Sequence, residues 1–142
     1  MRQSILRYFI SLLLVSLCIC SATSIFIISG SMKEDSEREM MYSVKLIEYN
    51  LDYSKDLNTQ IETLNPLAFS DDTRISVIDE KGKVLADTYK KDISSNHLKR
   101  EEVQQALHSS NHEGYAMRRS ETTNQPLLYA AYYKDNHIIR LS

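Results

Sequence analysis

From Tyr8 to Met32 the chain runs for 25 residues without a charged side chain, and Leu, Ile, Val and Phe dominate the run. As a helix it would be about 37 Å long, enough to cross a hydrocarbon core of about 30 Å with some tilt. A membrane-spanning helix over residues 8–30 is the expectation. Arg2 and Arg7 precede the run and Lys33, Glu34 and Asp35 follow it. The positive-inside bias then places residues 1–7 in the cytoplasm and everything from residue 31 onward outside the cell membrane. A cleaved secretory signal would share the basic start and could be cut near Cys20-Ser21-Ala22. Its apolar core needs only about 7 to 15 residues, however, and here the run resumes through Ile25, Phe26, Ile27 and Ile28. A lipid-bearing cysteine would follow a small residue, whereas Cys18 follows Leu17 and Cys20 follows Ile19.

The 110 residues after Met32 suit one domain with one modest core. Both cysteines lie within the apolar run, so the exported part is not held by disulfides. Of the 17 Lys and Arg, 15 fall in the exported part against 19 Asp and Glu, with no long run of either sign. Nothing in that balance supports nucleic-acid binding.

Met40, Val44, Ile47, Leu51, Leu57, Ile61 and Leu64 recur at helical spacing with Ser54 as the interruption, and Asn65-Pro66 forbids continuation. The spacing predicts one long amphipathic helix over residues 31–65, a stalk as well as a domain helix. Its narrow stripe suits both packing on the protein's own sheet and, on a different length of it, the parallel seam of a homodimer through Val44, Ile47 and Leu51. After Pro66 the period changes to two. Arg74–Asp79 and Lys83–Asp87 read as a hairpin around Glu80-Lys81-Gly82, and residues 94–110 as a loop and then a helix. Gly114 marks the exit from that helix. Tyr115–Arg119, Leu127–Tyr133 and His137–Leu141 read as three more strands, separated by residues 122–126 and by Lys134-Asp135-Asn136. The expected architecture is α+β, a five-stranded antiparallel sheet with the long and the short helix covering one face.

The run Arg-Ile-Ser-Val-Ile-Asp-Glu-Lys-Gly-Lys-Val-Leu-Ala-Asp at 74–87 is followed by Asn96-His97, Arg100 and Glu102, then Leu-Leu-Tyr-Ala-Ala at 127–131 and Ile-Ile-Arg-Leu-Ser at 138–142. In that order these pieces resemble the extracytoplasmic PAS-like sensor region of PhoR-type two-component sensor histidine kinases. The resemblance spans essentially the whole chain, and it makes residues 66–142 the remainder of the PAS-like domain. One departure is Glu101, where related chains often carry Pro after the Arg of the helix-start motif. The resemblance implies a stimulus-sensing, signal-transducing module and a parent polypeptide that is a histidine kinase. Such receptors continue into a second span and a catalytic core, so a chain ending at Ser142 is expected to be a fragment of one. A self-contained anchored binding or scaffold domain, or the same module on a chemoreceptor or a cyclic-dinucleotide enzyme, are the alternatives.

No catalytic residues are expected. The acceptor His and nucleotide-binding segments of a kinase core are missing, His112-Glu113 lies on the wrong side of the membrane for ATP, and no Gly-x-Ser-x-Gly elbow occurs. His108 and His112 stand four apart but lack a third ligand, so no metal and no cofactor is expected. The resemblance implies a pocket between the sheet and the short helix. His97, Arg100, Tyr115, Arg118 or Arg119, and Tyr129 are the polar groups for it, a set suited to a small anionic or carboxylate ligand. An extracytoplasmic protein partner is the other stimulus considered. Asn96, His97, Arg100 and Glu102 equally suit a structural role, capping the short helix and tying its loop to the sheet. Tyr129, Tyr132 and Tyr133 suit half-buried sheet positions.

Overall fold

The computed structural model describes residues 2–67, 73–89, 96–119, 124 and 126–142. The expected loop residues 94–95 and 122–123 lie outside the described residues. The chain forms two compact units, Met1–Ser36 and Glu37–Ser142. In the first, helix α1 (Arg2–Asn50) carries the uncharged run, and its large apolar side chains between Ile5 and Met32 are exposed. Among the described residues one helix is long and apolar enough to cross a membrane, and it is this one.

The second unit is α+β. Beyond α1 come α2 (Leu57–Leu64), a 3-10 turn (Asn65–Leu67), β1 (Ile75–Asp79), β2 (Val84–Asp87), α3 (Glu101–His108), β3 (Glu113–Arg119), β4 (Pro126–Lys134) and β5 (His137–Leu141). The strands form one antiparallel sheet in the order β2-β1-β5-β4-β3. Two turns show why these hairpins close where they do. Asp79 Oδ1 accepts from the amides of Lys81 and Lys83, and Gly82 takes φ +80°, a conformation costly for a residue with a Cβ. Between β4 and β5, Asp135 and Asn136 both adopt positive φ, 48° and 65°, as a two-residue type I′ hairpin requires.

The long helix expected over residues 31–65 is broken at residues 51–56. Asp52 Oδ1 accepts from the amide and hydroxyl of Ser54, and Asp56 caps α2 by accepting from Thr59 N at 2.8 Å. Short polar side chains that satisfy the backbone locally compete with the helix, and here they win despite the apolar spacing on either side. The hydrogen bonds from Ser54, with help from Lys55, hold the Asp52 carboxyl down at about 2. Both pieces still serve one core. Met40, Met41, Val44 and Ile47 of α1 and Ile61 of α2 are buried against Ile75, Val77, Ala86, Ala130, Ile139 and Leu141, with Leu51 packed at the margin. Val44 and Ile47, offered by their spacing as seam positions, are thus consumed by the protein's own sheet. Lys45–Glu113 and Lys134–Glu48 ion pairs flank the contact.

The helices do not share a face. Strand pairing puts Ile75, Val77, Ile139, Leu141, Ala130 and Tyr115 on the α1/α2 side, and Ser76, Ile78, Ile138, Arg140, Ala131 and Ala116 on the other. On that second face Val103 and Ala106 of α3 pack against Ile78, Val84, Ala131 and Ile138. Both faces carry apolar residues, so one layer of helices could not have buried them. Gly114 is not a helix exit but a β3 residue beneath α3: a Cβ there would meet Glu102 O at 1.9 Å and Ala106 N at 2.7 Å. These are backbone atoms and cannot rotate away. Gly114→Ala is therefore expected to lift α3 and cost about 2 kcal/mol, read as a lower urea midpoint of the full chain in detergent; an unchanged midpoint would show that α3 does not depend on this contact.

Candidate functional site

The face under α3 is apolar at one end and charged at the other. β3 and β4 alternate so that Arg118 and Tyr129 point to the α3 side, and β5 brings Arg140 to the same side next to Ser76 of β1. Glu102, in the first turn of α3, is fully buried and reaches down to them. Arg118 donates from Nη1 to Oε2 at 2.9 Å and from Nη2 to Oε1 at 3.1 Å, while Arg140 Nε donates to Oε1 at 2.7 Å. The Tyr129 ring lies beneath both cations, 3.8 Å from the Arg118 guanidinium carbon and 4.8 Å from that of Arg140. One carboxylate thus receives three charge-assisted hydrogen bonds, two of them in the parallel fork that guanidinium geometry favours.

Burial works against ionisation of Glu102, but the hydrogen bonds from Arg118 and then Arg140 outweigh it and hold the carboxyl below its ordinary range. Burial pushes Arg140 down, and the neighbouring cations Arg118 and Arg74 add to that. A second polar group lies beside the first. Arg74 donates from Nε to both oxygens of buried Asp87, Ser76 Oγ donates to Asp87 Oδ2 at 2.8 Å, and Tyr89 N donates to Oδ1. Asp87 is thereby satisfied, and among the described residues Glu102 is the carboxylate that balances Arg118 and Arg140.

Of the residues expected to line an anion pocket, Arg118 and Tyr129 meet. Tyr115 points to the opposite face, half-buried against the α1 core, with its hydroxyl on Glu113 Oε2 at 3.2 Å; burial and the Glu113 charge push its pKa up. Arg119 is exposed, donating to Asn124 O. Arg100 is the N-cap of α3 by position, without a side-chain cap bond. Buried His97 lies against the β1–β2 turn, its amide donating to Gly82 O at 2.7 Å. Asn96 ties that loop to the same turn: its Nδ2 donates to Lys81 O and its Oδ1 accepts from Leu98 N. It does not cap the helix. Arg140, absent from the expected set, is buried because the face opposite Ile139 and Leu141 is covered as well. Glu102 was placed with the structural residues and turns out to be the carboxylate that the arginines hold. His108 and His112 do not converge: His108 Nδ1 contacts Gln104 O, and His112 packs edge-on against Tyr133. Among the described residues no group of three His, Cys, Asp or Glu could hold a metal ion.

In structure the chain is similar to the YkuI protein of Bacillus subtilis, a protein with an EAL domain crystallised with substrate c-di-GMP and calcium, at 16% identity and a TM-score of 0.49, covering 76% of this chain. The match takes in 30% of that protein, so this chain spans less than a third of its length. No protein-family model and no curated protein matches the chain.

Removing one partner of a buried ion cluster strands the others. Glu102→Ala should cost about 3–5 kcal/mol, read by chemical denaturation. The sign with pH follows from the lowered carboxyl: its stabilisation is complete above the unfolded value near ~4.3 and disappears as pH falls through the folded value. The stability gap between the natural chain and Glu102→Gln should therefore narrow below about pH 4; a constant gap down to pH 2 would mean that charge is not what Glu102 contributes.

Proposed function

We propose that this chain is the membrane-anchored, extracytoplasmic, PAS-like sensing module of a two-component sensor histidine kinase, with residues 1–7 in the cytoplasm. The observation that carries the reading is the double use of one helix. α1 contains the uncharged run Tyr8–Met32 and also supplies Met40, Met41, Val44 and Ile47 to the core of the sheet unit. The element order of two strands, short helix and three strands, closed into a sheet with β5 in its middle, supports the PAS-like assignment. A stimulus acts by binding two arrangements of the domain unequally, and the shift leaves the domain through α1.

A homodimer is part of this proposal, on a different stripe from the one first expected. With Val44 and Ile47 in the core, Tyr42, half-buried Leu46 and Tyr49 repeat at four and three, and Tyr42 and Tyr49 are 70% and 81% exposed. Anchors inserted in the same direction hold two copies parallel, the arrangement such a repeat suits.

One variant reads both orientation and pairing. Tyr49→Cys, in a Cys18→Ala, Cys20→Ala background, is expected to react with a membrane-impermeant maleimide in intact cells and to cross-link into dimers on mild oxidation. Labelling only after lysis would reverse the topology, and monomers after oxidation would remove the seam. The kinase assignment has its own test. The native polypeptide captured with an antibody to the sheet unit should form phosphohistidine from labelled ATP; a captured polypeptide that takes up no phosphate would refute that assignment.

A further inference from the structure

We infer that Arg118, Arg140 and Tyr129 form a receptor for a small carboxylate, that Glu102 is its resident internal occupant, and that an external carboxylate binds by taking Glu102's place. The inference rests on the sensing role proposed above and names the ligand class. Four observations carry it.

The first is shape. The donors converge on a single planar carboxylate at 2.7 to 3.1 Å, and the Glu102 side chain beyond its Cα is chemically a propionate. A free carboxylate of that size meets the same three N–H groups. The second is charge. Two guanidiniums face one carboxylate, and the nearby Asp87 is already engaged by Arg74 and Ser76. Among the described residues, Arg140, whose side chain is 4% exposed, offsets its desolvation cost through a carboxylate that it shares with Arg118. The third is preorganisation. Tyr129 lies against both guanidiniums, giving each a contact besides Glu102 that an incoming carboxylate finds in place. The fourth is the tether. Glu102 sits in an eight-residue helix, too short to be stable by itself, whose N-cap side chain makes no capping bond. Access is from the β3 side, where the Arg118 side chain is 28% exposed while that of Arg140 is 4% exposed. Displacing Glu102 releases the first turn of α3 from the fork at the point where its backbone rests on Gly114.

The test uses the full chain in lipid nanodiscs with propionate as probe, read by saturation-transfer NMR against chloride at equal ionic strength. The natural chain should bind propionate saturably and weakly, because Glu102 competes. Glu102→Gln removes the competing charge while keeping the shape, and should bind at least tenfold tighter. Arg118→Gln should lose binding. Absence of saturable binding to the natural chain, equal affinity in Glu102→Gln, or binding unchanged by Arg118→Gln would each overturn the inference. If Glu102→Gln does not fold, Glu102→Ala should regain its folded spectrum on addition of propionate and not of chloride; no recovery counts against the receptor. Phosphohistidine formed by a parent polypeptide whose domain ignores propionate would defeat this inference and leave the sensing role standing. Propionate binding by a domain whose parent forms none would do the reverse.

Discussion

β5 lies in the middle of the sheet with Ile138, Ile139, Arg140 and Leu141 all buried, so cover is required on both faces at once. That requirement shapes everything around it. On one face α1 and α2 bring enough apolar surface to bury Ile75, Val77, Ile139 and Leu141. On the other the cover is α3, eight residues long, and its buried apolar side chains are Val103 and Ala106. A helix of about 12 Å cannot lay apolar surface across five strands. The part of the face beyond it is therefore polar, built from Ser76, Asp87, Arg118, Tyr129 and Arg140, and it is stable only because those groups satisfy one another. The ion cluster is the consequence of a short helix over a broad sheet.

Within the cluster the electrostatics follow from counting partners. Asp87 has Arg74, Ser76 and the Tyr89 amide, and it closes a local unit at the β1–β2 edge. Glu102 receives hydrogen bonds from two arginines, which is why burial fails to raise its pKa, while Arg140 is pushed down by its own burial and, to a lesser degree, by the neighbouring cations. The excess cation is where this fold differs from a simple packed core. It lies next to the N-terminus of α3, whose N-cap side chain makes no capping bond, and that juxtaposition gives a short acid a way in.

How far the chain could be read in advance depended on which interactions are local. All five strands and α3 were legible to within a few residues, because period-two alternation and turn residues such as Gly82 and Asp135-Asn136 act between sequence neighbours. The break at residues 51–56 was not, since the apolar spacing runs on past it and only the hydrogen-bonding capacity of Asp52, Ser54 and Asp56 decides against the helix. The distribution of helices over two faces is hidden for a related reason: the alternation of Ile75 and Val77 points to one apolar face, while Ile78, Ile138 and Ala131 make the second face apolar too. At the site, Arg118 and Tyr129 were found by residue type. Choosing Arg118 over Arg119 needed the alternation that also places small Gly114 and Ala116 under α3. Arg140 needed the opposite weighting, a charge within an apolar strand read as a partner in waiting.

β3 is the strand in which the two layers meet. Its odd-numbered side chains face α1, where Glu113 pairs with Lys45 and Tyr115 packs beside the core. Its even-numbered positions face α3, where Gly114 sets the height of the helix and Arg118 holds Glu102. Because strand alternation is rigid, these contacts cannot be adjusted one at a time. A load applied at the Arg118 fork is applied to the strand that also carries Glu113, the ion-pair partner of Lys45. An edge strand, bonded on one side to β4 alone, yields more readily to such a load than β5 would. One arm of the carboxylate fork, Arg118, sits on that edge strand, and α1 is tied to the same strand through Lys45 and Glu113.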